Sequence, residues 1–170
     1  MEKILRFIDG ISIWTGKVSS LLIVVLTAII CYDITMRYVL VKPTSWVFEV
    51  TYMMYGVYAM LGAAYCHHLK GHVRMDLLYV RLSPRRQAVI DVLCYIFLFF
   101  PLFIVLVWKC GQHALWAFSS GECSSSSILR PQLWPFKSLV AFGFLLFLFQ
   151  GAAEFLRSLQ IAIKGKPYEP

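Results

Sequence analysis

Four uncharged, strongly apolar runs divide the chain: Val18–Tyr32, Val50–Cys66, Val92–Trp108 and Ser138–Ala153, of 15, 17, 17 and 16 residues, each bounded by charge. A bilayer core takes roughly 20 residues of helix, with a range of about 17–25. Each run therefore predicts a helix that extends by about a turn and carries its bounding charges to the headgroups. The expected spans cover 15–37, 46–67, 87–109 and 134–157, joined by loops at 38–45 and 112–133. The fold class is an all-α membrane protein of four transmembrane helices, forming one domain over 1–170. The first run lacks a small-x-small cleavage site followed by a polar mature sequence, so it is expected to be a retained helix. No 20–50-residue repeat is present, which argues against an inverted-repeat transporter core.

Two further segments read as helices lying in the membrane interface. On a wheel of residues 1–17, Ile4, Leu5, Phe7, Ile8, Ile11 and Trp14 gather on one side, and Glu2, Lys3, Arg6, Asp9 and Lys17 on the other. That pattern predicts an amphipathic arm ahead of the first span. Residues 70–86, KGHVRMDLLYVRLSPRR, place Val73, Leu77 and Val80 on one apolar face and Met75, Leu78, Tyr79 and Leu82 on another. This predicts a short interfacial helix wedged beneath spans two and three and bounded by Pro84. Pro101, in the middle of span three, predicts a kink there, and Pro135 suits the first turn of span four.

Composition agrees with that picture. Hydrophobic residues make up 59% and charged residues 15%, against about 45–50% and about 25% in soluble domains. The net charge of +7 thus concerns membrane orientation before nucleic acid, which is not an expected partner. Eleven of the sixteen Lys and Arg lie in the N-terminus (Lys3, Arg6, Lys17), the 70–86 loop (Lys70, Arg74, Arg81, Arg85, Arg86) and the C-terminus (Arg157, Lys164, Lys166). The bias of basic residues toward cytoplasmic loops then predicts both termini in the cytoplasm and the 38–45 and 112–133 loops outside. Arg74, Arg81, Arg85 and Arg86 are expected to meet anionic phospholipid headgroups.

Charges inside a span cost at least about 2.5–3.5 kcal/mol at its centre and are usually paired or functional. Asp33, Arg37, Glu49, Lys109 and Lys137 all fall at one depth near the outer ends of the spans. They predict a structural clamp between helix tops, with Asp33 and Arg37 at i, i+4 able to pair with each other and Glu49 meeting Lys137 or Arg37. A proton relay would instead distribute acids across the membrane. Cys66, His67, His68 and His72 raise a metal reading, since His68 and His72 are spaced as helical ligands, but no acid completes an H-E-x-x-H frame. Five cysteines without a C-x-x-C pair read as small buried hydrophobes; Cys110 and Cys123 fall on the same predicted side, which leaves a disulfide open. A haem- or quinone-linked four-helix anchor of an electron-transfer complex is the rival reading. Its facing imidazoles are missing, since His67, His68 and His72 lie at one side and His113 near the other. Catalytic triads, glycine-rich phosphate loops and paired catalytic carboxylates are absent as well, so neither an enzyme nor a bound cofactor is expected.

Met36-Arg37-Tyr38 followed by Pro43, Trp46 and Glu49, then Gly71-His72-Val73-Arg74-Met75-Asp76, then Gly121-Glu122 and Trp134-Pro135-Phe136-Lys137, resemble in order and spacing the small membrane (DctQ-type, Q) subunit of tripartite ATP-independent periplasmic (TRAP) transporters. The resemblance implies a non-catalytic partner in the bacterial inner membrane for a large permease subunit (M) and a periplasmic substrate-binding protein (P). It implies a part in sodium-coupled import of an organic anion, as the fixed element against which the large subunit moves. The outer loops would then contribute to the surface where the binding protein docks, with Arg37, Lys42, Glu122 and Arg130 as candidates.

Overall fold

The computed structural model describes residues 2–42, 44–69, 83–125 and 130–164, and it is helical throughout apart from short connections. α1 runs over Glu2–Tyr38 and α2 over Val47–His68. The third rod comprises α3 (Pro84–Cys94), a π-helical turn (Tyr95–Phe99) and α4 (Phe100–Ser120); α5 covers Trp134–Lys164. Arg74, Arg81, His72 and most of the expected 70–86 helix lie outside the described residues.

The helix ends differ from those expected, for identifiable reasons. The N-terminal arm is not a separate element: residues 2–17 continue into the first span as one helix. Their inward stripe of Leu5, Ser12, Thr15 and Ser19 is buried, at spacings that keep it on one face. Residues 112–120, expected in a loop, extend α4, because Ala114 and Ala117 are buried against the rest of the molecule. Gly121 then stops the helix with φ 60°, and the Glu122 amide donates to the Ala117 carbonyl at 3.1 Å. This is the left-handed C-cap that glycine adopts without strain. Pro101 is accommodated by a π turn rather than by a simple kink at the proline itself: the Phe100 amide donates to the Tyr95 carbonyl, five residues back. Widening the turn just before the ring relieves the clash a proline makes with the preceding turn.

α5 is central. α2 packs on one side of it and the α3–α4 rod on the other, while α1 lies along α2 and touches α5 at one end. The array is therefore open, and we call its two ends proximal, where α1 begins and α5 closes, and distal. Its interior inverts that of a soluble protein. Among the described residues, five of the nine buried apolar ones are alanine (Ala64, Ala88, Ala114, Ala117, Ala153), and Ser12, Thr15, Ser19, Glu49, Gln150 and Glu154 are buried beside them. Phe97, Leu98, Leu115 and Val24 face outward. Small and polar residues between helices, with large apolar ones outside, mark packing in a lipid solvent.

Close approaches follow from the small residues. A methyl group added at Gly143 would lie 2.7 Å from the Met60 Cβ, and one at Gly16 would lie 2.5 Å from the Tyr65 ring. The Ser19 hydroxyl donates to the Tyr58 carbonyl at 3.0 Å, which joins α1 to α2. Three of the rods are long and apolar enough to cross a membrane: Leu5–Tyr38, Arg85–Ser120 and Trp134–Ile163. α2, with 22 residues, is not among them. Its four tyrosines and Glu49 lower its hydropathy.

Candidate functional site

The most developed side-chain assembly is a polar knot at the proximal end, where α1, α2 and α5 converge. Gln150 on α5 is wholly buried; its side-chain oxygen accepts from the Ser12 hydroxyl of α1 at 2.7 Å. Its amide nitrogen lies 3.2 Å from Asp9 Oδ1 and 3.3 Å from His68 Nδ1 of α2. His68 Nδ1 is itself 3.1 Å from Asp9 Oδ1. The second Asp9 oxygen accepts from Arg157 Nη2, while Arg157 Nη1 donates to Glu154 one turn earlier on α5. One guanidinium thus bridges two carboxylates from different helices, the planar geometry arginine provides and lysine does not. The arrangement fixes relative helix position. Among the described residues no group of three His, Cys, Asp or Glu could hold a metal ion.

Beside the knot, His67 faces the π turn. Its Nε2 lies 3.1 Å from the Tyr95 hydroxyl, and its ring stacks on Phe99 with centroids 5.9 Å apart. Phe99, Phe103 and Phe147 continue the stack at 4.5–5.6 Å between centroids. His113 is exposed on α4 at the distal end, so among the described residues no imidazole faces His67 or His68 across the array, and the haem-anchor reading gains no support.

The distal charges form two separate sets. Arg37 donates to Asp33 at 3.0 Å, and Thr44, in the loop before α2, donates to the other Asp33 oxygen. Lys137 near the start of α5 meets Glu122 at 2.5 Å and sits 5.8 Å from the centre of the Trp116 ring. Glu122 is held by a pinch in the 121–133 loop, where the Ser124 amide donates to the Pro131 carbonyl at 2.9 Å and the Leu133 amide to the Glu122 carbonyl at 3.0 Å. Glu49 is buried in the first turn of α2, 3% exposed. Lys109, Lys42 and Arg130 are exposed. Of the five residues expected to clamp the helix tops, Asp33 and Arg37 are brought together, Lys137 pairs with Glu122, and Lys109 faces outward. Arg85 and Arg86 are exposed at the proximal end, and Arg85 Nε donates to the Ala162 carbonyl at 3.2 Å. All five cysteines are free thiols, Cys110 and Cys123 included.

Sequence reasoning missed the proximal knot. Its signals were present in Asp9 three residues before Ser12, a lone Gln150 inside a span, and Glu154 with Arg157 at i, i+3. Asp9, however, falls on the charged side of the amphipathic arm that the wheel predicts.

The family model for the DctQ component of tripartite ATP-independent periplasmic transporters matches residues 26–161. The chain belongs to this family. It is therefore a component of a TRAP transporter, a transport protein rather than a catalytic one. The match takes in the whole of α2, α3, the π turn and α4, most of α5 and the last third of α1, while Asp9 and Ser12 of the knot lie before it. Comparison with curated proteins gives no match.

Proposed function

We propose that this DctQ-family chain is the fixed membrane scaffold of its TRAP transporter. It would hold the large permease subunit while that subunit carries an organic anion inward with sodium, after delivery by the periplasmic binding protein. The observation that carries the reading is the division of labour within the chain. Buried polar groups lock α1, α2 and α5 to one another, and the apolar faces of α1 and of α3–α4 are left outward for lipid and partner. A helix array braced in this way suits a subunit that stays still while another moves.

In this reading α2 is the fourth span. Its 22 residues extend about 33 Å at about 1.5 Å per residue, and flanking by α1 and α5 spares it the hydropathy that lipid demands. The bias of Lys and Arg places both termini in the cytoplasm, in the bacterial inner membrane. The distal loops, with Arg37, Lys42, Glu122 and Arg130, then face the periplasm as part of the docking surface for the binding protein, and Arg74, Arg81, Arg85 and Arg86 meet lipid headgroups. Asp33, Arg37, Glu49 and Lys137 brace the helix tops.

Affinity purification of the tagged chain from its native membrane tests the proposal. A large multi-span subunit should co-purify, and uptake in proteoliposomes should require both chains and the binding protein. Uptake by this chain alone would refute the scaffold role. Arg130→Glu is expected to weaken binding-protein-dependent uptake with the membrane complex intact, and unchanged uptake would remove Arg130 from the docking surface. Glu49→Gln is expected to lower the thermal stability of the complex; a variant as stable and active as the parent would remove Glu49 from the brace.

A further inference from the structure

α4 carries a graded stripe that neither the polar knot nor the distal pairs use. Leu102, Val105, Lys109, Gln112 and Trp116 recur at alternating spacings of three and four, so they share one helix face, and His113 lies beside them. Leu102, Val105 and Trp116 are each more than half exposed; Lys109, Gln112 and His113 are exposed too. At the distal end of the stripe Lys109, Gln112, His113 and Trp116 line a shallow concavity of about 370 Å³. Among the described residues no hydrogen bond or ion pair engages the side chains of Lys109, Gln112 or His113. The nearby Glu122 is already taken by Lys137.

The chemistry of the stripe selects its occupant. The concavity offers an ammonium, an amide N–H₂ and an imidazole N–H, with no acid among its lining residues, so it complements an anion. Below it the surface is aliphatic, so the molecule that fits is an anion with a hydrocarbon tail. Depth agrees. Asp91 and Lys109 bound the uncharged run of this rod and lie 18 residues apart, about 27 Å along a helix, close to the roughly 30 Å hydrocarbon thickness. Lys109 therefore stands at headgroup level, and Trp116 one to two turns beyond it belongs among interfacial aromatics.

We propose that this face of α4 binds one phospholipid with an anionic headgroup. Lys109, Gln112 and His113 take the phosphate, Trp116 borders the headgroup, and an acyl chain lies along Val105 and Leu102. The site is distinct from the arginines of the proximal end. It rests on the membrane character of this rod and not on the scaffold role.

Native mass spectrometry of the chain in its detergent-purified complex provides the test, with phosphatidylglycerol or phosphatidylethanolamine of identical acyl chains added after delipidation. The expected result is about a fivefold preference for phosphatidylglycerol, the scale of one lysine near an anionic surface. Measured in a background in which Arg74, Arg81, Arg85 and Arg86 are each replaced by Gln, so that the proximal arginines do not contribute, Lys109→Gln should abolish that preference and Lys109→Arg keep it, while inorganic phosphate fails to displace the lipid. Lys109 is exposed, so these variants should elute as the parent does in size-exclusion chromatography. Equal retention of the two lipids would overturn the proposal. So would a preference that survives Lys109→Gln, or one that is present in the isolated chain and lost in the complex, since the last would mean that a protein partner covers the stripe.

Discussion

Replacing Arg157 by Met removes the one cation that bridges Asp9 and Glu154 while keeping most of the side chain's apolar length. Asp9 and Arg157 have side chains only 17% and 16% exposed, and Glu154 is at 7%. Two carboxylates would be left close together in a poorly hydrated place. Removing one partner of a buried ion pair costs about 3–5 kcal/mol, and at about 2–4 °C per kcal/mol for a chain of this size the apparent Tm should fall by roughly 6–20 °C. The assay is the loss of the monodisperse peak in fluorescence-detected size-exclusion chromatography after heating the detergent-solubilised protein. Asp9→Asn keeps the shape and removes one of the two charges facing the guanidinium, so it should cost less. The double variant should then lose less than the sum of the singles by about 1 kcal/mol or more, as contacting residues do. A fall of under 2 °C for Arg157→Met, or additivity within about 0.5 kcal/mol, would refute the claim that the guanidinium couples α1 to α5.

Other perturbations probe the packing and the distal pair. Gly143→Ala should destabilise by about 1–3 kcal/mol, as overpacking does, because the added methyl meets the Met60 Cβ and backbone. Gly111→Ala, with nothing within 4 Å, should be neutral or gain up to about 1 kcal/mol from helix propensity; the same thermal assay separates the two, and equal effects would contradict the close approach of α2 and α5. Lys137→Met should cost about 1 kcal/mol or less, since its pair with Glu122 is a quarter exposed, and its deficit should shrink when the assay is repeated in high salt.

That the chain is built of long apolar helices was legible in the sequence, because uncharged runs of this length between charges are hard to place elsewhere. The Asp33–Arg37 pair was legible too, being local. What misled was the wheel of residues 1–17. In a water-soluble helix the apolar side turns inward, but here Phe7 and Trp14 are exposed while Ser12, Thr15 and Ser19 are buried. In lipid, small and polar residues mark the contact side, and a stripe of serine, threonine and glycine was the better guide. The end of α4 was misplaced for a related reason. Its extent was judged by bilayer thickness, whereas Ala114 and Ala117 pack onto protein beyond Lys109, and only Gly121 stops the helix. The Lys137–Glu122 pair was not legible, because the hairpin-like pinch at Ser124 and Pro131 that carries Glu122 to Lys137 leaves no periodic trace in the sequence.

The open array has a consequence for how this subunit comes into being. α1 and the α3–α4 rod do not close on each other, so most of the chain's surface is settled only by what surrounds it. Apparent stability then depends by mass action on the concentration of anything that binds the folded form. Synthesis in excess of its partners should leave orphan copies with marginal folding equilibria, which are the first substrates of membrane proteases. The architecture thus offers a route to matched subunit numbers through turnover, without any dedicated regulator.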